Sequence, residues 1–153
     1  MNYQTEINEL CELGKVYVDR NWSRGTSSNY SIVVRRAPTR ILITASGRHK
    51  ERLTPDDFVV IDESGQPTHE DMPRSSAETL LHVALAQDEQ VGAVLHTHSV
   101  WSTLLSERYA EAGEVRIAGY EMLKGLAGVT THESDVGIRI FENTQDIATL
   151  AAE

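Results

Sequence analysis

Apolar and polar residues follow periods along the chain that distinguish helices from strands. Apolar positions recur on one helical stripe over residues 5–18, which predicts an N-terminal helix. The turn-forming segment NWSRGTSSN is expected to end that helix. Short apolar runs separated by turn residues then predict three strands and an exposed loop, in the order YSIVVRR, RILITASG, DFVVIDESG and QPTHEDMPR.

The second half of the chain predicts helices that alternate with further strands. Ser75 and Glu78 have the spacing of a capping box, so a helix is predicted to start there. The strand VGAVLHTH, the helix WSTLLSERYAEAG and the strands EVRIAGYEML and DVGIRIF follow. A last helix is predicted, capped by Asn143 or Thr144, and its pattern ends without a closing glycine or asparagine. Together these elements predict one α/β domain over residues 1–153, in which helices cover a sheet.

Composition narrows the classes of protein to consider. The chain has 14 Lys and Arg against 23 Asp and Glu, a net charge of −9, which argues against a nucleic-acid-binding protein. No apolar run is long enough to span a membrane, and the N-terminal residues lack the apolar stretch of a secretory signal. A single cysteine, Cys11, excludes an internal disulfide. We therefore expect a cytoplasmic protein with no membrane partner.

Two histidines one residue apart are the clearest chemical feature of the sequence. His96 and His98 end the predicted strand VGAVLHTH, where side chains at i and i+2 project from the same face. Both rings can then reach one metal ion. A catalytic zinc site needs three protein ligands and an open position, so two histidines do not complete it. By spacing, His132 is the best candidate for a third ligand, and a surface role for the pair is the alternative interpretation.

Several segments, in colinear order, resemble one enzyme family. They are GTSSN, TASGRHKERL, SSAETLLH, GAVLHTHS, GYEMLKGLAGVTTHE and FENTQDIATLAAE. Together they resemble the methylthioribulose-1-phosphate dehydratases, a branch of the class II aldolase/adducin superfamily. The resemblance implies a class II aldolase-like three-layer α/β/α sandwich with a central, mostly antiparallel mixed sheet. It also implies a further C-terminal strand and helices, so we expect this fold to be C-terminally incomplete.

The same resemblance implies a metal site and a reaction. It implies one zinc ion per subunit on His96 and His98, with a third histidine beyond Glu153 in place of His132. Glu121, expected on the next strand among apolar neighbours, matches the family's catalytic glutamate. The implied reaction is the zinc-dependent dehydration of 5-methylthioribulose 1-phosphate to 2,3-diketo-5-methylthiopentyl 1-phosphate, in methionine salvage. A homotetramer is implied for the full-length enzyme.

The phosphate of a small phosphorylated sugar is expected to bind at three turns that carry free donors. The candidate residues are Ser28, Asn29, Ser46, Gly47, Lys50, Ser75 and Ser76. Backbone N–H groups at turns and helix starts suit an anion, whereas each serine taken alone also fits a capping or turn role. Ser28 stands where the family usually has glycine, which predicts a less permissive turn.

Two other functions stay open at this point. One is a class II aldolase or epimerase that acts on another phosphorylated sugar with the same zinc and fold. Such aldolases carry their acid/base glutamate directly after the serine pair, whereas here Ala77 intervenes. On a helix, that shift would turn Glu78 about 100° away. The other is a non-catalytic adducin-like binding domain, against which the presence of His96, His98 and Glu121 argues.

Overall fold

The helices and strands occur in the predicted order in the computed structural model, which describes residues 3–153. The α-helices are α1 (Gln4–Asp19), α2 (Thr79–Leu85), α3 (Val100–Arg108) and α4 (Ile147–Leu150). The strands are β1 (Asn29–Arg36), β2 (Thr39–Thr44), β3 (Phe58–Ile61), β4 (Ala93–His96), β5 (Glu114–Ala118) and β6 (Asp135–Arg139). The chain forms two compact units, one of residues up to 99 together with 144–153, and one of residues 100–143.

The first unit is built on a four-stranded sheet whose order is β3-β2-β1-β4. Every pair of neighbours in it is antiparallel. Because successive side chains of a strand point to opposite faces, the apolar runs bury both faces of the sheet. One face packs with α1 around a cluster formed by Leu10, Tyr30, Leu42, Phe58 and Val60. The other packs with α2 around a cluster formed by Ile41, Ile43, Val59, Ile61, Val83 and Ala86.

The second unit contains α3 and a two-stranded antiparallel sheet of β5 and β6. Its register places Glu114 opposite Arg139 and Ala118 opposite Asp135. A short 3-10 helix, Glu121–Gly125, follows β5. Of the side chains that the structure describes in this unit, only Leu123 is buried.

Three details differ from the sequence predictions. The predicted strand EVRIAGYEML ends at Ala118, so Glu121 lies in a 3-10 helix. The capping box of Ser75 and Glu78 is not formed, because α2 begins only at Thr79 and Ser75 instead bridges Ala45. The last helix is capped by Asp146, whose side chain accepts from the Thr149 backbone N–H, and not by Asn143 or Thr144.

Two further predictions concern the type of sheet and the absence of a membrane-spanning segment. The sheet is antiparallel as predicted, but no parallel pair occurs among the strands that the structure describes, so the expected mixed sheet is not found there. No helix in the described part of the chain combines the length and the apolar character that crossing a membrane requires.

A glycine and a buried lysine join α1 to the segment after β2. Gly14 is buried in α1, and a Cβ placed there would lie 2.2 Å from the carbonyl oxygen of Lys50. The Lys50 side chain is buried too, and its Nζ donates to the carbonyls of Arg48 at 2.6 Å and Thr26 at 3.5 Å. Burial lowers the pKa of Lys50 to about 8, although the nearby carboxylates of Glu51 and Asp57 favour its charged form.

Substitution Gly14→Ala is expected to destabilise the fold. Alanine is the better helix former, by about 1 kcal/mol. The added methyl group, however, meets a backbone oxygen that cannot rotate away. We expect a net loss of about 1–3 kcal/mol in the free energy of unfolding, measured by urea denaturation. Gly92→Ala is the control, because a Cβ at Gly92 contacts nothing within 4 Å. Equal stability of the two variants would contradict this account.

The buried Lys50 predicts a specific pH dependence of stability. Its folded-state pKa of about 8 lies below the ordinary value of 10.5, so the unfolded chain binds more protons between these pH values. Lys50 therefore makes the free energy of unfolding increase as pH rises through that window. Below pH 8 the lysine is charged in both states, so the full cost of burying its charge is present. Relative to Lys50→Met, we expect the wild-type protein to gain on the order of 3 kcal/mol across the window. A difference that does not change with pH would contradict the assignment.

Candidate metal centre

His96 and His98 lie side by side at the end of β4. The pairing of β1 with β4 places His96 opposite Asn29, and the backbone N–H of His98 donates to the carbonyl of Trp22 at 2.7 Å. The centroids of the two imidazole rings are 4.6 Å apart. This is the arrangement that the i, i+2 spacing predicts for two ligands of one ion.

The third group at this place is the carboxylate of Glu78. Its Oε2 lies 3.0 Å from Nδ1 of His96, and one ligand atom each from Glu78, His96 and His98 lie within 4.8 Å of one another. The prediction that Glu78 is turned away was wrong. Glu78 is the N-cap residue of α2, with φ −94° and ψ 15°, so the rotation of 100° per helical residue does not apply to it.

The donor set and its hydrogen bonding fit a transition-metal ion. Nδ1 of His96 is buried and makes no hydrogen bond, although Oε2 of Glu78 is within ion-pair distance of it. The pKa of His98 is lowered, mainly by burial and further by the charge of His96, while Glu78 opposes the shift. A neutral imidazole is the form that binds a metal. Two imidazoles and one carboxylate form a ligand set that zinc accepts in catalytic sites.

A series of hydrogen bonds connects Glu78 to buried side chains of β1 and α2. Asn29 is buried at the start of β1, and its Nδ2 donates to Oγ of Ser76 at 2.9 Å and also to Oε2 of Glu78. Its Oδ1 faces Nε2 of His82. The other ring nitrogen of His82, Nδ1, lies 2.7 Å from Oγ of Ser31. Burial, followed by the charge of His96, lowers the pKa of His82 to about 4, so this imidazole is neutral at physiological pH.

The three turns proposed for phosphate meet in the first unit. Asn29 reaches Ser76 as described, Ser75 bridges Ala45, and the backbone N–H of Ser46 donates to the carbonyl of Arg74 at 2.9 Å. Ser46 and Gly47 form an exposed turn that follows β2 and the buried Ala45. The sequence could not establish this proximity, because it depends on the pairing of distant segments.

Two of the residues predicted to bind phosphate, Lys50 and Ser28, have side chains that contact backbone carbonyls. Lys50, which was predicted to bind the phosphate, is buried, and its Nζ donates to backbone carbonyls. Ser28 has a positive φ of 71°, a conformation that glycine adopts more readily, and its Oγ lies 3.4 Å from the carbonyl of Trp22. The serine therefore occupies the demanding turn that the sequence indicated.

Glu121 belongs to the second unit, and its surroundings differ from the expected ones. It was predicted to lie on a strand and to pack among apolar neighbours, but its side chain is 67% exposed. Its Oε1 lies 3.0 Å from Nδ1 of His132, and its Oε2 lies 2.5 Å from Nζ of Lys124. His132, the third ligand suggested by spacing, thus pairs with Glu121 and is not part of the metal group.

Sequence reasoning missed the roles of Glu78 and His82. Helical periodicity could not indicate them, because Glu78 is the N-cap residue that precedes the first residue of α2. Both residues contact Asn29, which the sequence places 49 or more positions away.

The sequence is similar to those of known proteins. Residues 8–153 match the class II aldolase and adducin N-terminal domain. The chain is 45% identical over 152 residues to a methylthioribulose-1-phosphate dehydratase of Marinobacter nauticus, which covers 99% of this chain and 72% of the relative. It is 48% identical over 146 residues to the enzyme of that name from Pseudomonas savastanoi pv. phaseolicola. That match covers 95% of this chain and 70% of the relative.

Solved structures share the fold. An L-fuculose 1-phosphate aldolase superimposes with a TM-score of 0.61 at 27% identity, over 69% of this chain and 50% of that chain. The l-fuculose-1-phosphate aldolase from Thermus thermophilus gives a TM-score of 0.61 at 22% identity. That match covers 76% of this chain and 55% of the aldolase chain. The chain thus spans about half the length of these structures. From the match over residues 8–153 and the relatives above, the chain belongs to the class II aldolase and adducin family.

Proposed function

We propose that this chain carries the zinc-dependent dehydration of 5-methylthioribulose 1-phosphate to 2,3-diketo-5-methylthiopentyl 1-phosphate. The observation that carries the proposal is the convergence of Glu78, His96 and His98 in a chain 45% identical to a methylthioribulose-1-phosphate dehydratase. Zinc is proposed because two imidazole nitrogens and a carboxylate oxygen match its preferred ligands.

The chemistry explains why a metal is needed. The proton that is lost lies on C3, next to the C2 ketone, and the hydroxyl that is lost lies on C4. Such a carbon acid ionises too weakly at neutral pH without help. Bound zinc would supply a Lewis acid that stabilises the negative charge developing on the substrate as the proton leaves. His96 and His98 would hold it as neutral ligands, and Glu78 would balance its charge.

The phosphate group would bind where the three turns meet. Oγ of Ser76 accepts from the Asn29 amide and, at 3.3 Å, from the backbone N–H of Glu78. Because the oxygen acts as acceptor in both bonds, the hydroxyl hydrogen of Ser76 is left to donate to a phosphate oxygen. The exposed turn at Ser46 and Gly47 would add the hydroxyl of Ser46 and the backbone N–H of Gly47, since the backbone N–H of Ser46 already donates to Arg74. Lys50 would stabilise this region through its hydrogen bonds to the carbonyls of Thr26 and Arg48.

Glu121 is proposed as the acid/base residue, on the match of GYEMLKG to the family's catalytic segment. His132 and Lys124 each hold one oxygen of its carboxylate, which fixes its orientation. In this role Glu121 takes up the C3 proton and returns a proton to the leaving hydroxyl. The three-layer sandwich and the homotetramer that the resemblance implies form part of the same proposal, as does the cytoplasmic location expected from the composition.

An aldolase is the second candidate, because the position of Glu78 no longer argues against it. The carboxylate lies beside the histidine pair despite the intervening Ala77. Turnover of 5-methylthioribulose 1-phosphate and of fuculose 1-phosphate by the zinc-loaded chain separates the two reactions. We expect dehydration of the first compound and no cleavage of the second. Aldol cleavage without dehydration would favour the aldolase, and zinc binding without either reaction would favour a binding domain.

Substitution Glu78→Gln tests the metal centre. Glutamine keeps the size of the side chain and can still accept from Asn29, but it lacks the charged ligand oxygen. We expect zinc affinity, measured by titration calorimetry, to fall by at least about tenfold. Glu63→Gln is the control, since Glu63 is an exposed partner of Arg40 outside the metal group. Unchanged affinity in the Glu78 variant would remove Glu78 from the centre.

Substitution Glu121→Gln tests the acid/base role. Glutamine cannot take up the proton, so we expect kcat to fall by about 10²–10⁴-fold. Zinc affinity should stay at the wild-type value, because Glu121 is not part of the metal group. Glu114→Gln is the control, because Glu114 is a glutamate of the same unit that pairs with Arg116. An unchanged kcat in the Glu121 variant would refute the role.

A further inference from the structure

A buried imidazole outside the metal group lies directly behind it. His82 is 1% exposed on α2, and both of its ring nitrogens face side chains of β1. It offers no atom to the metal group. It contacts neither of the histidines by a hydrogen bond, and it reaches the centre only through Asn29 and Glu78.

The Glu78 carboxylate determines where the hydrogens lie in this series of side chains. The carboxylate of Glu78 can only accept, so the group of Asn29 that faces it must be the NH₂. The opposite group of Asn29, Oδ1, is then an acceptor, and Nε2 of His82 must carry a hydrogen to meet it. In the neutral ring, Nδ1 is then an acceptor, and the hydroxyl of Ser31 donates to it. Every member therefore has one allowed orientation.

We propose that His82 is a positioning residue for the metal centre, acting as the Nε2–H tautomer that locks the side-chain amide of Asn29. The inference rests on the proposed metal centre. The locked amide directs its NH₂ to Glu78 and Ser76, which holds the Glu78 carboxylate against His96 and holds the Ser76 hydroxyl toward the phosphate turns. One imidazole thus sets the orientation of both a metal-ligating and a phosphate-binding group.

The alternative orientation of Asn29 shows what His82 prevents. A flipped amide would place Oδ1 against the Glu78 carboxylate, so that two acceptors face each other. Glu78 would then leave its position 3.0 Å from Nδ1 of His96. Without a donor at Nε2, Oδ1 loses its partner, and the observed orientation depends on Glu78 and Ser76 alone.

Three substitutions in the full chain test the proposal. His82→Leu removes both ring hydrogen bonds, whereas His82→Gln retains a side-chain N–H that can reach Oδ1 of Asn29. Tyr30→Phe is the matched control, because it removes a buried hydroxyl that bonds Ser23 at 2.5 Å and lies in the cluster on the α1 side of the sheet. Two readouts are used, zinc affinity by calorimetry and hydrogen exchange of the Asn29 side-chain NH₂ by NMR in the metal-free protein.

We expect His82→Leu to lower zinc affinity by about tenfold or more and to abolish protection of the Asn29 amide. His82→Gln should restore both, and Tyr30→Phe should change neither. Wild-type affinity and protection in His82→Leu, or equal losses in Tyr30→Phe, would overturn the proposal. If His82→Leu does not fold, ¹⁵N NMR of the wild-type ring decides: the Nε2–H tautomer supports the proposal, and the Nδ1–H tautomer overturns it.

The proposed reaction and this inference can fail separately. Zinc binding with these variant effects but without dehydration of 5-methylthioribulose 1-phosphate would reject the reaction and leave the role of His82 standing. If the wild-type chain takes up no zinc, amide exchange decides. Protection lost in His82→Leu but kept in Tyr30→Phe supports the proposal, and equal protection in both overturns it.

Discussion

The antiparallel register of β1 with β4 is the constraint on which the metal centre depends. It places Asn29 opposite His96, so a buried amide and a metal-binding imidazole become neighbours. A slip of one residue would turn every side chain of β4 to the other face and separate the histidines from Glu78. β1 cannot shift easily, because β2 pairs along its other edge and apolar clusters cover both faces of the sheet. The core therefore fixes the position of β4, although that strand lies at the edge of the sheet.

Polar groups inside this core are arranged so that nearly all of them are paired. A buried polar group without a partner is costly, and a buried network is stable only when each member is satisfied. From Ser31 through His82 and Asn29 to Glu78, each donor meets an acceptor. The series ends at Nδ1 of His96, which is buried and makes no hydrogen bond. A positive ion beside that nitrogen and the Glu78 carboxylate would complete the network.

The parts of this structure that could be predicted from the sequence depend on local patterns. Apolar periodicity is sufficient for α1 and the first three strands, and the i, i+2 spacing is sufficient for the two histidine rings to lie together. Glu78 could not be placed correctly, because its direction depends on α2 beginning at Thr79 and not at Ser75. The burial of Lys50 could not be predicted from its polar segment, because it depends on the packing of that segment against α1. For Glu121, a bend at Gly119, where φ is 78°, ends the strand before the glutamate.

The central claim is that Glu78, His96 and His98 bind one zinc ion. Anomalous diffraction at the zinc absorption edge, from crystals of the chain grown with zinc, tests it most directly. We predict one strong peak within bonding distance of an imidazole nitrogen from each histidine and of a carboxylate oxygen of Glu78. A peak on the Glu121 and His132 pair alone, or a peak on the two histidines with Glu78 turned away, would contradict the account.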